Sequence, residues 1–238
     1  MLSASNMPTP DDTSDYSKPT TALLLPAFDL IENLHPSNVP SLIADIVSNA
    51  PTSTSPLQTR SLPTLSAPSD DPTLALKTRP CPHNAVILMC SQKTRDARCG
   101  QSAPLLRKEL ERHLRPLGLY RDLHDERPGG VGIYFISHVG GHAFSANVMI
   151  YRRPNAFGQD EVIPASGSNG TASGGDTNGE TKNGDAGDVG AAQCIWLARV
   201  RPEDCENLVR YTVLKGKVVK PESQLRGGFD RSKGLMSW

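Results

Sequence analysis

Ala85-Val-Ile-Leu-Met-Cys90 is an unbroken apolar run of strand length. Apolar residues at both parities suit a strand buried on both faces, the pattern of an α/β sheet. A polar stretch follows, Ser91 to Gln101, and a helix then opens at Ser102-Ala-Pro-Leu-Leu106. Ser102 can cap it and Pro104 is tolerated in a first turn. Leu106, Leu110 and Leu114 form an i, i+4, i+8 stripe. Pro116 and Gly118 mark its end.

The same reading places strands at Val131–Ile136, Asn147–Tyr151 and Cys194–Val200. A last helix begins at Pro202, with Glu203 and Asp204 in its first turn, where the helix dipole favours acids. Its buried face is Cys205, Leu208, Val209, Thr212 and Val213. Strand, helix, strand, strand, strand, helix predicts an α/β fold, a thioredoxin-like mixed sheet with flanking helices. The usual middle helix is reduced to the stretch around His138-Val-Gly-Gly-His142.

Around this core the composition changes. Residues 1–20 are polar and expected to be disordered. Residues 21–49 read as a partial N-terminal segment, a strand at Ala22–Leu25 and a helix with Leu42, Ile43, Ile46 and Val47 on one face. Residues 50–80 are rich in Pro and Ser and read as a linker. The thioredoxin-like domain spans 81–238, with a Gly/Asn/Asp-rich insertion at 165–192 that has no large apolar payload and is expected to be a disordered loop. Asn169-Gly-Thr171 fits a glycosylation sequon, taken as chance in a chain with no secretory signal.

Lys and Arg number 25, matched by 25 Asp and Glu. That balance gives no electrostatic reason to expect nucleic acid or an anionic membrane as partner. No apolar stretch approaches the roughly 18 residues of a membrane span. The N-terminus lacks a secretory pattern and carries Asp11, Asp12 and Asp15. Cytoplasmic residence is the expectation, mitochondrial the alternative. Five cysteines without a secretory signal point to metal or redox use of thiols rather than to a disulfide framework.

The chemistry concentrates in two pairs. Cys90 ends the first strand and Cys99 follows after eight residues; His138 and His142 follow the second strand, three residues apart. Parallel strands would send both loops to the carboxyl end of the sheet, where open α/β sheets build their sites. Two thiolates and two imidazoles suit tetrahedral zinc, and equally a 2Fe–2S cluster in which His replaces Cys on one iron. The eight-residue gap is long for a zinc knuckle, and Gly140 and Gly141 let backbone pass close to a larger object. Spacing leaves both metals open.

Cys90-x8-Cys99-Gly100, Ser137-His-Val-Gly-Gly-His142, Asn147-Val-Met-Ile-Tyr151, Trp196-Leu-Ala-Arg-Val200 and the Pro202-Glu-Asp204 helix start together resemble the sucrase/ferredoxin-like family, fungal and plant thioredoxin-like ferredoxins. The resemblance implies an electron-transfer protein with a 2Fe–2S cluster, Cys90 and Cys99 on one iron and His138 and His142 on the other. The alternative is a zinc-stabilised interaction module on the same four ligands. Gly234-Leu-Met-Ser-Trp238 resembles the C-terminal signal of clients of the cytosolic iron–sulfur assembly machinery, read through Met236, Ser237 and Trp238. Longer family members carry a fuller upstream segment.

Cys81 also precedes Cys90 by eight residues and is a competing ligand. Cys194 and Cys205 read as small core residues, and His35, His113 and His124 as surface residues. No C-x-x-C, G-x-S-x-G, P-loop or H-E-x-x-H pattern occurs, so the chain reads as an electron carrier more than a catalyst.

Overall fold

The computed structural model describes residues 1–10, 12, 13, 15, 17–63, 75–138, 143–160 and 188–235. Two sheets form. Strands β1 (Thr20–Leu24), β2 (Asp29–Leu34) and β3 (Lys77–Pro80) make a small antiparallel sheet. A helical segment α1 (36–47) follows β2. The larger sheet contains β4 (Ala85–Cys90), β5 (Tyr120–Arg121), β6 (Val131–Ile136), β7 (Val148–Arg152), β8 (Gln193–Leu197) and β9 (Leu225–Asp230). Its order is β5-β6-β4-β7-β8-β9. Helix α2 (Ala97–Leu114) connects β4 to β6, α3 (202–213) follows β8, and α4 (Pro221–Gln224) leads into β9.

β4 pairs parallel with β6 and antiparallel with β7, and β7 pairs antiparallel with β8. A strand–helix–strand unit followed by an antiparallel pair and a closing helix is the expected thioredoxin-like arrangement, an α/β fold with a mixed sheet. The apolar run in β4 is explained by its position. Ala85, Ile87 and Met89 pack with Leu106, Leu110 and Leu114 of α2 and Leu208, Val209 and Val213 of α3. Val86, Leu88 and Cys90 face the other way, among Phe28, Leu30, Tyr134 and Met149. All six β4 side chains are buried.

Several boundaries differ from expectation. α2 starts five residues before Ser102. Asp96 caps it, its carboxylate accepting the Arg98 backbone N–H at 2.9 Å. Aspartate is a strong cap, and an early start lets Cys99 and Ala103 extend the leucine stripe inward. Ser102 therefore sits inside the helix, its hydroxyl donating to the Cys99 carbonyl at 3.3 Å. Pro104 is also interior rather than in a first turn; its exposed ring costs one backbone hydrogen bond, which the buried face tolerates. β7 begins at Val148, one residue late, and β8 ends at Leu197, leaving Ala198 and Val200 buried beyond it. On α1, Leu42 and Ile46 pack inward while Ile43 and Val47 are exposed, so the expected face is split.

The flanking segments are bonded to the core. Ser5 bridges Ile136, and the Asn6 side-chain carbonyl accepts the Phe135 N–H at 2.7 Å, so residues from the stretch expected to be disordered lie along β6. The stretch read as a linker contains β3, and Arg231 donates to the Ser55 and Pro56 carbonyls at 2.8 Å each. Arg60 donates to Asp29 at 2.6 Å. Most of the 165–192 insertion, and the 139–142 stretch where a middle helix would sit, lie outside the described residues.

Between the two sheets lies a cavity of about 330 Å³, lined among others by Leu30, Arg79, His83, Glu126 and Tyr134. His83 is 3% exposed and its Nε2 lies 3.1 Å from the Tyr134 hydroxyl. Gly132 makes room for it: a Cβ there would stand 2.5 Å from the His83 Cδ2. Burial, helped by Arg121, pushes the imidazole from its ordinary 6.5 down to about 4; the Gly129 backbone, Asp125 and Glu126 oppose the shift. The unfolded chain therefore takes up the proton first as pH falls. The contribution of neutral His83 to stability is therefore full above about pH 6.5 and should fall away toward pH 4, by roughly 3 kcal/mol. Urea unfolding of the wild type across this window should show that slope, and His83→Gln should flatten it.

Candidate metal centre

β4 and α2 bring two of the expected ligands together. Cys90 is the last residue of β4, and the 91–96 loop returns the chain so that Cys99 lies in the first turn of α2. Both thiols are buried, in one cluster with Ile136 and Met149. Gly100 permits the return: a Cβ there would meet Lys93 Cβ at 2.7 Å and its Cα at 2.8 Å. Burial, and then the neighbouring Cys99 thiol, push the Cys90 thiol up to about 12. Because the Cys90 thiol holds its proton, a cation is needed to stabilise its thiolate, and binding one releases that proton.

His138 stands just beyond the end of β6, the strand paired with β4. The Cys90 Sγ lies 3.9 Å from the Ser137 carbonyl oxygen, so the thiol pair faces the segment that carries His138. The backbone of His138 is clamped from a distant part of the chain. The Ser3 hydroxyl accepts its N–H at 3.1 Å and donates to its carbonyl at 2.9 Å, while Ala4 and Ser137 exchange further bonds. His142 lies outside the described residues, as do Gly140 and Gly141. Among the described residues no three His, Cys, Asp or Glu side chains converge on one point. Cys90 and Cys99 are neighbours, and His138 lies just beyond the end of the adjoining strand.

The competing cysteine is separated from this place. Cys81 precedes β4, whose length alone puts roughly 17 Å between its two ends. Burial pushes its thiol up to about 11, and it packs behind the cavity beside Tyr134. Cys194 and Cys205 are fully buried core residues; Cys205 Sγ points at the Leu106 and Arg201 carbonyls at 3.8 and 3.7 Å. His35 precedes α1, His113 sits near Glu109 on α2, and His124 is exposed.

Asn147 was not singled out by sequence. Its backbone carbonyl accepts the Cys90 N–H at 3.1 Å, and its side-chain oxygen accepts the Trp196 indole N–H at 3.0 Å. Its amide also donates to the Phe144 carbonyl at 2.6 Å. One residue thus ties the first thiol, the segment after the histidines and a half-buried tryptophan. The available signal was an asparagine directly before an apolar strand, a position where its side chain competes for backbone groups. Arg98, in the first turn of α2, forms an ion pair with the capping Asp96 at 2.9 Å.

The model of the sucrase/ferredoxin-like family matches residues 1–227. The chain belongs to the sucrase/ferredoxin-like family. Among curated proteins it is 49% identical over 87 residues to Actin patches distal protein 1 of Saccharomyces cerevisiae, covering 34% of this chain and 28% of that protein. It is 27% identical over 138 residues to Altered inheritance of mitochondria protein 32 of Clavispora lusitaniae, covering 58% and 33%. The corresponding protein of Debaryomyces hansenii is 28% identical over 135 residues, covering 57% and 33%. The chain thus spans about a third of the length of the curated family members it matches. No solved structure matches. In this family member, no helix among the described residues is long and apolar enough to cross a membrane.

Asn147 is 1% exposed, so removing its side chain leaves the Trp196 N–H without an acceptor. Asn147→Ala should cost about 1–3 kcal/mol in urea unfolding and shift the tryptophan emission to the red.

Proposed function

We propose that this family member is an electron carrier holding a 2Fe–2S cluster on Cys90, Cys99, His138 and His142. The observation that supports it most is the adjacent, buried pair Cys90 and Cys99 at the end of β4, facing the segment that carries His138. The cluster would supply one-electron storage. The protein's part is to set its charge and surroundings. Two neutral imidazoles in place of two thiolates lower the negative charge to be carried, which raises the potential relative to an all-cysteine site. The outer nitrogen of each imidazole can take or release a proton near neutrality, so electron transfer can be coupled to proton transfer. Burial of both cysteines excludes water from the sulfur side.

Iron and acid-labile sulfide analysis of anaerobically purified protein tests this directly. About two of each per chain, with a visible band that bleaches under dithionite, is the expected result. His138→Cys and His142→Cys should then change the spectrum and lower the potential. A colourless protein with about one zinc, unchanged by iron–sulfide reconstitution, would replace the carrier with a zinc-stabilised interaction module.

Loading in the cell is part of the same reading. Met236, Ser237 and Trp238 lie outside the described residues, and we propose that they are read by the cytosolic iron–sulfur assembly machinery, with the protein resident in the cytoplasm and the mitochondrion as the alternative. Deleting the three residues should reduce iron content of protein isolated from cells and leave reconstitution in vitro intact. Equal iron content in both forms removes this role from the C-terminus.

A further inference from the structure

The formal charge of the whole chain is zero, yet the end of the large sheet that carries Cys90 and His138 is basic. Strand register defines that end: Met89 pairs with Val148, Val148 with Leu197, and Leu197 with Leu225. Lys93, Arg95 and Arg199 lie in loops at that end, Arg98 in the first turn of α2 and Arg226 near the start of β9. The acids there are largely engaged already. Asp96 pairs with Arg98, Glu203 with Arg201, and Asp204 with Lys220, which leaves Glu222. Among the described residues, no carboxylate pairs with Lys93, Arg95, Arg199 or Arg226.

Two of these cations are held in place by the fold. The guanidinium carbons of Arg199 and Arg226 lie over the same ring, Phe144, at 3.8 and 4.3 Å from its centre. Phe144 follows the histidine pair in sequence by two residues. Arg199 has φ +56, a conformation that costs free energy in a residue with a side chain. The surroundings enforce it: its N–H donates to the Ser145 carbonyl at 2.9 Å, and its own carbonyl accepts from Gln224 at 3.4 Å. Arg226 is oriented by the Leu225 and Ser223 carbonyls, at 2.9 and 2.7 Å. Two like charges are therefore brought onto one aromatic ring with no carboxylate pairing among the described residues, at the same end of the sheet as the candidate metal centre. Stacking on the ring orients them and leaves their charge to an incoming anion.

We propose that this edge docks an acidic protein, with Arg199 and Arg226 as the preorganised receivers of its carboxylates and Lys93 and Arg95 adding to the attractive field. What the two proteins would exchange rests on the electron-carrier reading; the docking surface stands on the charges alone. A protein fits better than a nucleic acid, because the chain has no net positive charge to hold a polyphosphate and the Phe144 ring is already covered by arginines.

The test uses the full chain, whatever metal it contains, with a fluorescein-labelled decaglutamate peptide read by anisotropy. Binding should weaken steeply with added salt. Arg199→Glu/Arg226→Glu should weaken it by about tenfold or more, because like charges then face each other. Arg199→Gln/Arg226→Gln, which keeps side-chain bulk, should weaken it less but clearly, and Lys77→Glu on β3 should leave it unchanged. Equal binding by wild type and both double variants, each shown folded by circular dichroism, overturns the proposal. So does tighter binding of a ten-nucleotide oligothymidylate or of phosphatidylserine vesicles than of the peptide. Because the peptide assay needs no cluster, a protein found to be free of iron sinks the carrier reading without touching this one.

Discussion

Every other element is positioned by the burial of β4 on both faces. A strand that hides alternate side chains on opposite sides requires a layer on each side. α2 and α3 supply one, against Ala85, Ile87 and Met89. The β1–β2 region, through Phe28 and Leu30, supplies the other, against Val86, Leu88 and Cys90. The small N-terminal sheet is therefore part of the core's cover; Arg60 bonds the intervening chain to Ala27 and Asp29 of that region, and Arg231, just after β9, bonds it at Ser55 and Pro56.

The same constraint builds the candidate metal centre. Because β4 is central, its last residue, Cys90, emerges buried rather than at a solvated rim. The chain must then turn immediately to place α2 over the sheet. Asp96 fixes where the helix begins, and the close approach of Gly100 to Lys93 fixes how tightly the loop closes. Cys99 is returned to Cys90 as a consequence. The parallel neighbour β6 delivers His138 to the same end, where Ser3 holds its backbone. The basic edge follows from the same register, since β8 and β9 bring Arg199 and Arg226 to that end as well.

Much of this was legible in the chain. The limits of β4 and β6, the α2 leucine stripe and the whole buried face of α3 agree with the sequence pattern. Side-chain periodicity is imposed by local backbone geometry, so it survives without knowledge of neighbours. Helix starts are less local. Ser102 and Asp96 are both competent caps, and Pro104 argued for the later one. The helix begins at Asp96, and the earlier start takes Cys99 into its buried face. The split face of α1 is likewise a matter of tertiary packing: spacing places Leu42, Ile43, Ile46 and Val47 together, but only Leu42 and Ile46 join the cluster with Ile31 and Leu76.

The sequence by itself determined the α/β class, the strand-bounded C-x8-C and H-x3-H pairs and the family they belong to, because these are patterns of residue type at short separations. The tertiary structure decided which cysteine stands beside Cys90. Cys81 and Cys99 have the same spacing from it, and a straight strand carries one away while a loop and helix return the other. It also decided that Ser3 would clamp His138, that Asn147 would join Cys90 to Trp196, and that two arginines would share Phe144. Those contacts join residues remote in the chain, each through one or two hydrogen bonds or a ring. Such contacts have no period to read, and they exist only once burial of β4 has fixed the register of the whole sheet.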